Sequence, residues 1–199
     1  ALPNNAVVTD VGSVKEPVLQ LWKNLHSRFV ASHPMAGTDK FGVESGQENL
    51  FNGKPWVVTP DKNTDAAAIQ QIKEIALSIG SLWMTSEPRI HDQAVALISH
   101  LPVFVSAALL RTIENDENVS LIKLAKELAS SGFLDTTRVG GGNPELGLSM
   151  AQYNNSEILR SLESFRTSLD SLEEAIRSKQ WENLIDELEQ AKSNRSEYL

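Results

Sequence analysis

The hydropathy pattern changes character near Glu87, and that change limits the folds open to the chain. Before it, short apolar runs of strand length alternate with helical patterns. Ala6–Asp10, Arg28–Ser32, Pro55–Pro60 and Ser81–Thr85 read as strands. Val14–Leu25 reads as a helix with Val18, Leu21, Trp22 and Leu25 on one face, and Ser13 and Glu16 have capping-box spacing at its start. A second helix starts at Thr64, with Ile69, Ile72, Ile75, Ala76 and Ile79 as its apolar stripe. The order strand, helix, strand, strand, helix, strand predicts an α/β sheet.

After Glu87 only helical periodicity remains. Ile90–Glu114 is one long pattern, which Pro102 is expected to kink. Asn118 is placed to cap Val119–Ser131, and Gly132–Pro144 reads as a loop. Helices are then expected near Pro144–Asn154, Ser156–Lys179 and Trp181–Asn194. Ile158, Leu162, Phe165, Leu169, Leu172 and Ile176 follow alternating steps of four and three, an a/d seam that packs within the chain or against a second subunit. The expected division is therefore an α/β portion over 1–86 and a helical portion over 87–199.

Composition excludes several function classes. A net charge of −8 argues against a nucleic-acid partner, because counterion release needs clustered Lys and Arg. With no cysteine there is no disulfide framework, thiolate nucleophile or Cys-ligated metal, which fits a cytoplasmic enzyme. The longest apolar stretch, Ala94–Leu110, is interrupted by His100 and Pro102 and falls short of the roughly 20 residues of a spanning helix, so no membrane span is expected.

Five residues stand out chemically. His33 ends a strand beside Pro34, and Ser13 follows another strand end; ligands in open α/β sheets gather at such ends. His33 reads either as a catalytic imidazole or as a loop histidine bonded to backbone. His91 and His100 lie nine residues apart, about 900° around an unbroken helix, so they face opposite sides and make no metal pair. His100 is either a satisfied core histidine or a pocket residue opened by the kink. Arg138, beside two threonines and before Gly140-Gly141-Gly142, is either a carboxylate clamp or a surface partner of Asp135. A Ser13/His33/Asp10 hydrolase is also conceivable, although no Gly-x-Ser-x-Gly elbow is present.

Taken in order, Asp10-Val11-Gly12-Ser13-Val14-Lys15, Ser32-His33-Pro34-Met35-Ala36-Gly37-Thr38, Ser99-His100-Leu101-Pro102 and Gly132-Phe133-Leu134-Asp135-Thr136-Thr137-Arg138 resemble the arogenate/prephenate dehydrogenases of tyrosine biosynthesis. The resemblance covers nearly the whole chain. It implies a partial Rossmann-like nucleotide-binding domain followed by a helical substrate-binding and dimerisation domain. The family's Gly-x-Gly-x-x-Gly turn is not in this sequence, which begins with Ala1, so the chain reads as about the last two thirds of such an enzyme.

The implied reaction is oxidative decarboxylation of a cyclohexadienyl substrate with hydride transfer to a nicotinamide. The resemblance assigns proton acceptance to His33 and orientation of base and nicotinamide to Ser13. Cofactor contacts fall to Asp10, Val11, Gly12, Ser13 and Pro34. Substrate contacts fall to His33, Gly37, Thr38, Gln93, His100 and Arg138. No metal is implied. Prephenate-preferring members often carry a second histidine after the Ser-His-Leu-Pro motif, where Val103 and Phe104 stand here, and the run after Arg138 is unusually rich in glycine. These departures favour arogenate over prephenate and, by association, NADP over NAD. A homodimer through the helical domain is expected. The competing reading is a non-catalytic dimeric binding or regulatory fragment.

Overall fold

The structure, a computed structural model, describes residues 2–22, 24–37 and 46–198. Strand β1 (Val8–Thr9) pairs in parallel with β2 (Phe29–Val30). After Ala31 the same run continues as β3 (Ser32–Pro34), antiparallel to β4 (Pro55–Val58), which pairs in parallel with β5 (Leu82–Thr85). The single strand expected over Arg28–Ser32 is thus two, shared between two ladders.

Helix α1 (Glu16–Trp22) is shorter than its periodicity predicts. Trp22 stacks on Phe29 of β2 with ring centroids 4.8 Å apart, fixing the helix over the first ladder. Helix α2 (Ala66–Ser78) is capped by Asp65, whose carboxylate accepts from Ala68 N, and not by Thr64 as the sequence suggests. Thr64 is used one turn earlier, bonding with Asp61. Ala68, Ile72 and Ala76, four residues apart, pack against Val30, Trp56 and Val58 to form the core. Burying one side chain the size of Ile72 contributes about 1.5–3 kcal/mol. Gly80 ends this unit at φ +79°, where a Cβ would stand 2.5 Å from Asn52 Oδ1, so only glycine fits.

The long helical pattern is broken before Pro102. Helix α3 (Pro88–Val95) runs into a π-helical turn, Ala96–His100, and then α4 (Leu101–Glu114). Pro102 has no N–H to offer the preceding turn, and the wider register lets the chain pass it without ending the helix. Among the described residues, Pro88–Glu114 is the one helix long and apolar enough to cross a membrane by length and composition. Its buried His91, Asp92 and His100 bond to neighbouring elements.

Helix α5 (Val119–Leu128) starts where Asn118 accepts from Leu121 N. The first part of the loop expected over Gly132–Pro144 is helix instead: α6 spans Ser131–Thr137, and 138–143 remain a loop. The glycine and threonines are tolerated because Thr136 and Thr137 donate back to Gly132 O and Phe133 O at 2.8 and 2.7 Å. Helix α7 (Pro144–Tyr153) is capped by Asn143.

Compactness sets its own boundary, with Ala1–Ile158 in one unit and Leu159–Leu199 in a second. Helix α8 (Asn155–Arg177) begins in the first unit. Within the second, α8 turns back through Lys179, at φ 52°, into α9 (Trp181–Arg195), and Ser171 Oγ donates to Glu187 at 2.8 Å. Leu169, Ile176, Trp181, Ile185 and Leu188 are more than half exposed or close to it.

Candidate active site

The ends of β1 and β3 are stitched together by side chains. Asp10 Oδ1 accepts from Ser32 N at 3.0 Å, and Ser32 Oγ donates to Asp10 O at 2.8 Å. Thr9 Oγ1 donates to Val30 O at 2.6 Å. The loop after β1, carrying Val11, Gly12 and Ser13, therefore starts from a residue bonded to the neighbour of His33. Asp10 Oδ2 accepts from Gly12 N at 2.9 Å, and a Cβ at position 12 would meet that oxygen at 3.0 Å.

Lys15 closes the same corner from below. Its ammonium is fully buried, pairs with Asp10 and donates to Ser32 O at 2.6 Å. Burial lowers its pKa, while the Asp10 carboxylate opposes that shift. Asp10 is thus occupied by Gly12, Ser32 and Lys15. These bonds shape the loop that follows β1.

The N-terminus of α1 is capped from 77 residues away. Asp92 Oδ1 accepts from Lys15 N at 2.7 Å and Oδ2 from Glu16 N at 2.8 Å. This carboxylate replaces the capping box expected from Ser13 and Glu16. Asp92 Oδ1 also lies 2.7 Å from His91 Nδ1, and His91 Nε2 lies 2.9 Å from His33 Nδ1. All three side chains are buried. Burial first, then repulsion from His91 in its protonated form, from Lys15 and from protonated His100, pushes the His33 pKa down to about 3, with Asp92 opposing. His33 is therefore neutral at pH 7.

The π turn brings His100 inward as well. One extra residue in the turn rotates the phase by about 100°, so His91 and His100 no longer face opposite sides. Asn154 Nδ2 donates to Asp92 O at 2.8 Å and lies 3.2 Å from His100 Nδ1. The amide nitrogen faces a carbonyl, so its orientation is fixed, and His100 Nδ1 accepts. The proton then sits on His100 Nε2, which is buried without a partner among the described residues. Burial lowers the His100 pKa.

These two histidines contribute to the acid sensitivity of the fold. Below about pH 6.5 the unfolded chain takes up a proton at each position while the folded chain resists it. Stability is therefore greatest above that pH and falls on acidification toward pH 3, His33 alone contributing up to about 1.4 kcal/mol per pH unit. Thermal melts from pH 8 to pH 4 should show Tm falling below pH 6.5. Replacing His33 with asparagine should flatten that fall.

Two cavities adjoin at Leu146 and Met150. One, of about 350 Å³, is walled by Gly12, Ser13, Val14, Pro17 and Val18 from the α1 side and by residues of α7. The other, of about 700 Å³, holds Gly37, Ser99, Pro102, Val103 and Arg138. Arg138 has no ion pair with Asp135 or any other group among the described residues. It sits just past α6, held where Gly140 N donates to Ser106 Oγ at 2.8 Å. A Cβ at position 140 would lie 2.4 Å from Ala107 N, so glycine alone permits this approach to α4.

The remaining expected residues are placed less directly. Gln93 Nε2 faces Glu157 at 3.4 Å and does not line the larger cavity. Pro34 is buried in β3 opposite Trp56. Thr38 lies outside the described residues. Sequence reasoning missed Lys15, His91, Asp92 and Asn154. The only local signal was a histidine beside an aspartate on a helix; their partners lie tens of residues away.

Comparison with known proteins agrees with this architecture. Residues 1–84 match the family model described as prephenate dehydrogenase, nucleotide-binding domain, and residues 87–190 match prephenate dehydrogenase, dimerization domain. The architecture is thus a nucleotide-binding α/β region followed by a helical dimerisation domain. The chain belongs to the prephenate/arogenate dehydrogenase family. It is 32% identical over 197 residues to prephenate dehydrogenase of Bacillus subtilis (strain 168), covering 98% of this chain and 53% of that protein. It therefore spans about half the length of that relative.

Among solved structures, Synechocystis arogenate dehydrogenase is 44% identical with a TM-score of 0.87, covering 100% of this chain and 71% of that one. Prephenate dehydrogenase from A. aeolicus, in complex with hydroxyphenyl propionate and NAD+, is 33% identical with a TM-score of 0.92, covering 100% and 69%.

Proposed function

We propose that the protein carrying this chain is an arogenate dehydrogenase, which oxidatively decarboxylates arogenate to tyrosine with NADP, acting as a homodimer in the cytoplasm. The observation that carries the reading is the His33 imidazole, buried, neutral and bonded through Nδ1, with Nε2 left as the acceptor. His33 Nε2 takes the proton of the substrate's ring hydroxyl as hydride leaves the carbon bearing it. The C–C bond to the ring carboxylate then breaks, CO₂ departs, and the electron pair enters the ring to give the phenol, whose oxygen recovers a proton.

The residues present fit a nicotinamide. The 350 Å³ cavity beside Gly12 and Ser13 has apolar walls in Val14, Pro17, Val18 and Met150, suited to a flat ring, and Gly12 lets backbone approach closely. When bound, the nicotinamide supplies the hydride acceptor. Ser13, with Val11 and Gly12, would hold it toward the adjoining larger cavity. Arg138 would clamp a substrate carboxylate, and His100 Nε2–H would donate to another acceptor of the substrate. Gly37 leaves open space at the same cavity. Thr38 and Gln93 are proposed as further substrate contacts on the family motif alone.

Arogenate is favoured by the 44% identity to the Synechocystis enzyme and by the uncharged cavity wall at Val103, Val139 and Gly142. The name of the B. subtilis relative and the NAD+ in the A. aeolicus complex favour a second reading, prephenate dehydrogenase with NAD. Dimerisation is supported by the matched domain's description and by the exposed apolar residues of α8 and α9. Assay of the full-length enzyme with arogenate and prephenate, each with NAD and NADP, tests the choice. Arogenate with NADP is expected to give the highest kcat/KM, by about tenfold or more. A preference for prephenate with NAD would replace the first reading with the second.

A further inference from the structure

The hydrogen bonds around Asp92 assign every proton in the buried chain that ends at His33. Asp92 faces three donors: the backbone N–H groups of Lys15 and Glu16, at 2.7 and 2.8 Å, and His91 Nδ1 at 2.7 Å. Both its oxygens therefore act as acceptors, and His91 carries its proton on Nδ1. A His91 ring protonated on Nδ1 alone has a lone pair on Nε2, and His33, 2.9 Å away, then donates from its own Nδ1. The two rings meet edge to face, 76° apart, so this contact is a hydrogen bond and not a stack. What is left on His33 is an unprotonated Nε2.

We propose that His91 and Asp92 are positioning residues that lock His33 in the Nδ1–H tautomer, so that its free Nε2 is always the proton acceptor. The proposal rests on the reading of His33 as the base. It adds that one carboxylate performs two tasks. Through Oδ1 and Oδ2 it anchors the first turn of α1, just after Ser13, and through His91 it sets the protonation of His33. Asn154 ties the backbone of Asp92 to His100, so the helix bearing this carboxylate is fixed against the start of α8. The base and the Ser13 loop are thereby held to one common point. Asp92 stays an acceptor throughout; it orients and does not take the proton.

The test reads the tautomer directly. In ¹⁵N-histidine NMR of the folded chain, His33 and His91 should both carry the proton on Nδ1. In His91→Phe, which removes the acceptor, the His33 proton should shift toward Nε2. The same change in the full-length enzyme should lower kcat about 10²-fold or more, with KM within about threefold. His91→Gln offers a carbonyl in place of Nε2, so it should restore the Nδ1–H tautomer and bring kcat back to within about tenfold of wild type.

A wild-type spectrum with His33 protonated on Nε2 overturns the proposal, as does a His91→Phe variant with unchanged tautomer and kcat. Should His91→Phe fail to fold, the wild-type spectrum and His91→Gln still decide the matter. Wild-type kcat in His33→Asn would instead remove the base reading and leave the spectra standing, so the two failures are distinguishable.

Discussion

Replacing His33 with asparagine in the full-length enzyme lowers kcat about 10²–10⁴-fold and leaves KM and nicotinamide affinity within about threefold. Asparagine is close to imidazole in size and can still donate an amide hydrogen to His91 Nε2, so the buried end of the side chain keeps its partner. What it lacks is a basic nitrogen at the other end. The loss therefore falls on the step in which the hydroxyl proton moves, and binding is spared. The buried neighbours are not a rescue: His91 Nε2 is already the acceptor for position 33, and His100 Nδ1 is taken by Asn154. Steady-state kinetics with saturating nicotinamide check the split. An unchanged kcat removes His33 from proton transfer, and a large rise in KM alone recasts it as a binding residue.

Arg138→Gln raises the KM for the cyclohexadienyl substrate about 10–100-fold, with a smaller fall in kcat. A charge-assisted contact to a carboxylate contributes about 1.5–3 kcal/mol, and each 1.4 kcal/mol is tenfold in affinity. The guanidinium is available for such a contact because no carboxylate of the described residues occupies it, and it lines the 700 Å³ cavity beside Gly37 and Ser99. Its backbone is held by the close approach of Gly140 to Ser106 and Ala107, so the substitution should change charge and fork geometry without moving the segment. Arg138→Lys should fall between the two, keeping the charge and losing the bidentate fork. A wild-type KM in the glutamine variant excludes Arg138 from the pocket.

How far the sequence reveals this arrangement depends on the range of the interactions involved. The α/β-to-helical change at Glu87 and the helices after Asn118 and Pro144 are legible, because periodicity and caps act within a few residues. Helix α6 is not, because its threonines are satisfied by back-bonding that no propensity scale anticipates. The opposition of His91 and His100 follows correctly from α geometry and fails because the chain takes a π turn before Pro102. Asp92 is the clearest limit. A carboxylate that caps a helix 76 and 77 residues upstream leaves no local trace, since position 92 reads only as a polar residue on an amphipathic helix. His33, Ser13 and Arg138 are visible through their motifs, but the partner that orients His33 is not.

The most direct measurement is a crystal structure of the full-length enzyme with nicotinamide dinucleotide and a cyclohexadienyl analogue that keeps both the ring hydroxyl and the ring carboxylate. The account predicts the hydroxyl oxygen within about 3.2 Å of His33 Nε2, as a proton transfer requires, and a carboxylate of the analogue on the Arg138 guanidinium. An analogue bound in the Arg138 cavity with its hydroxyl turned away from His33, or bound elsewhere altogether, contradicts it.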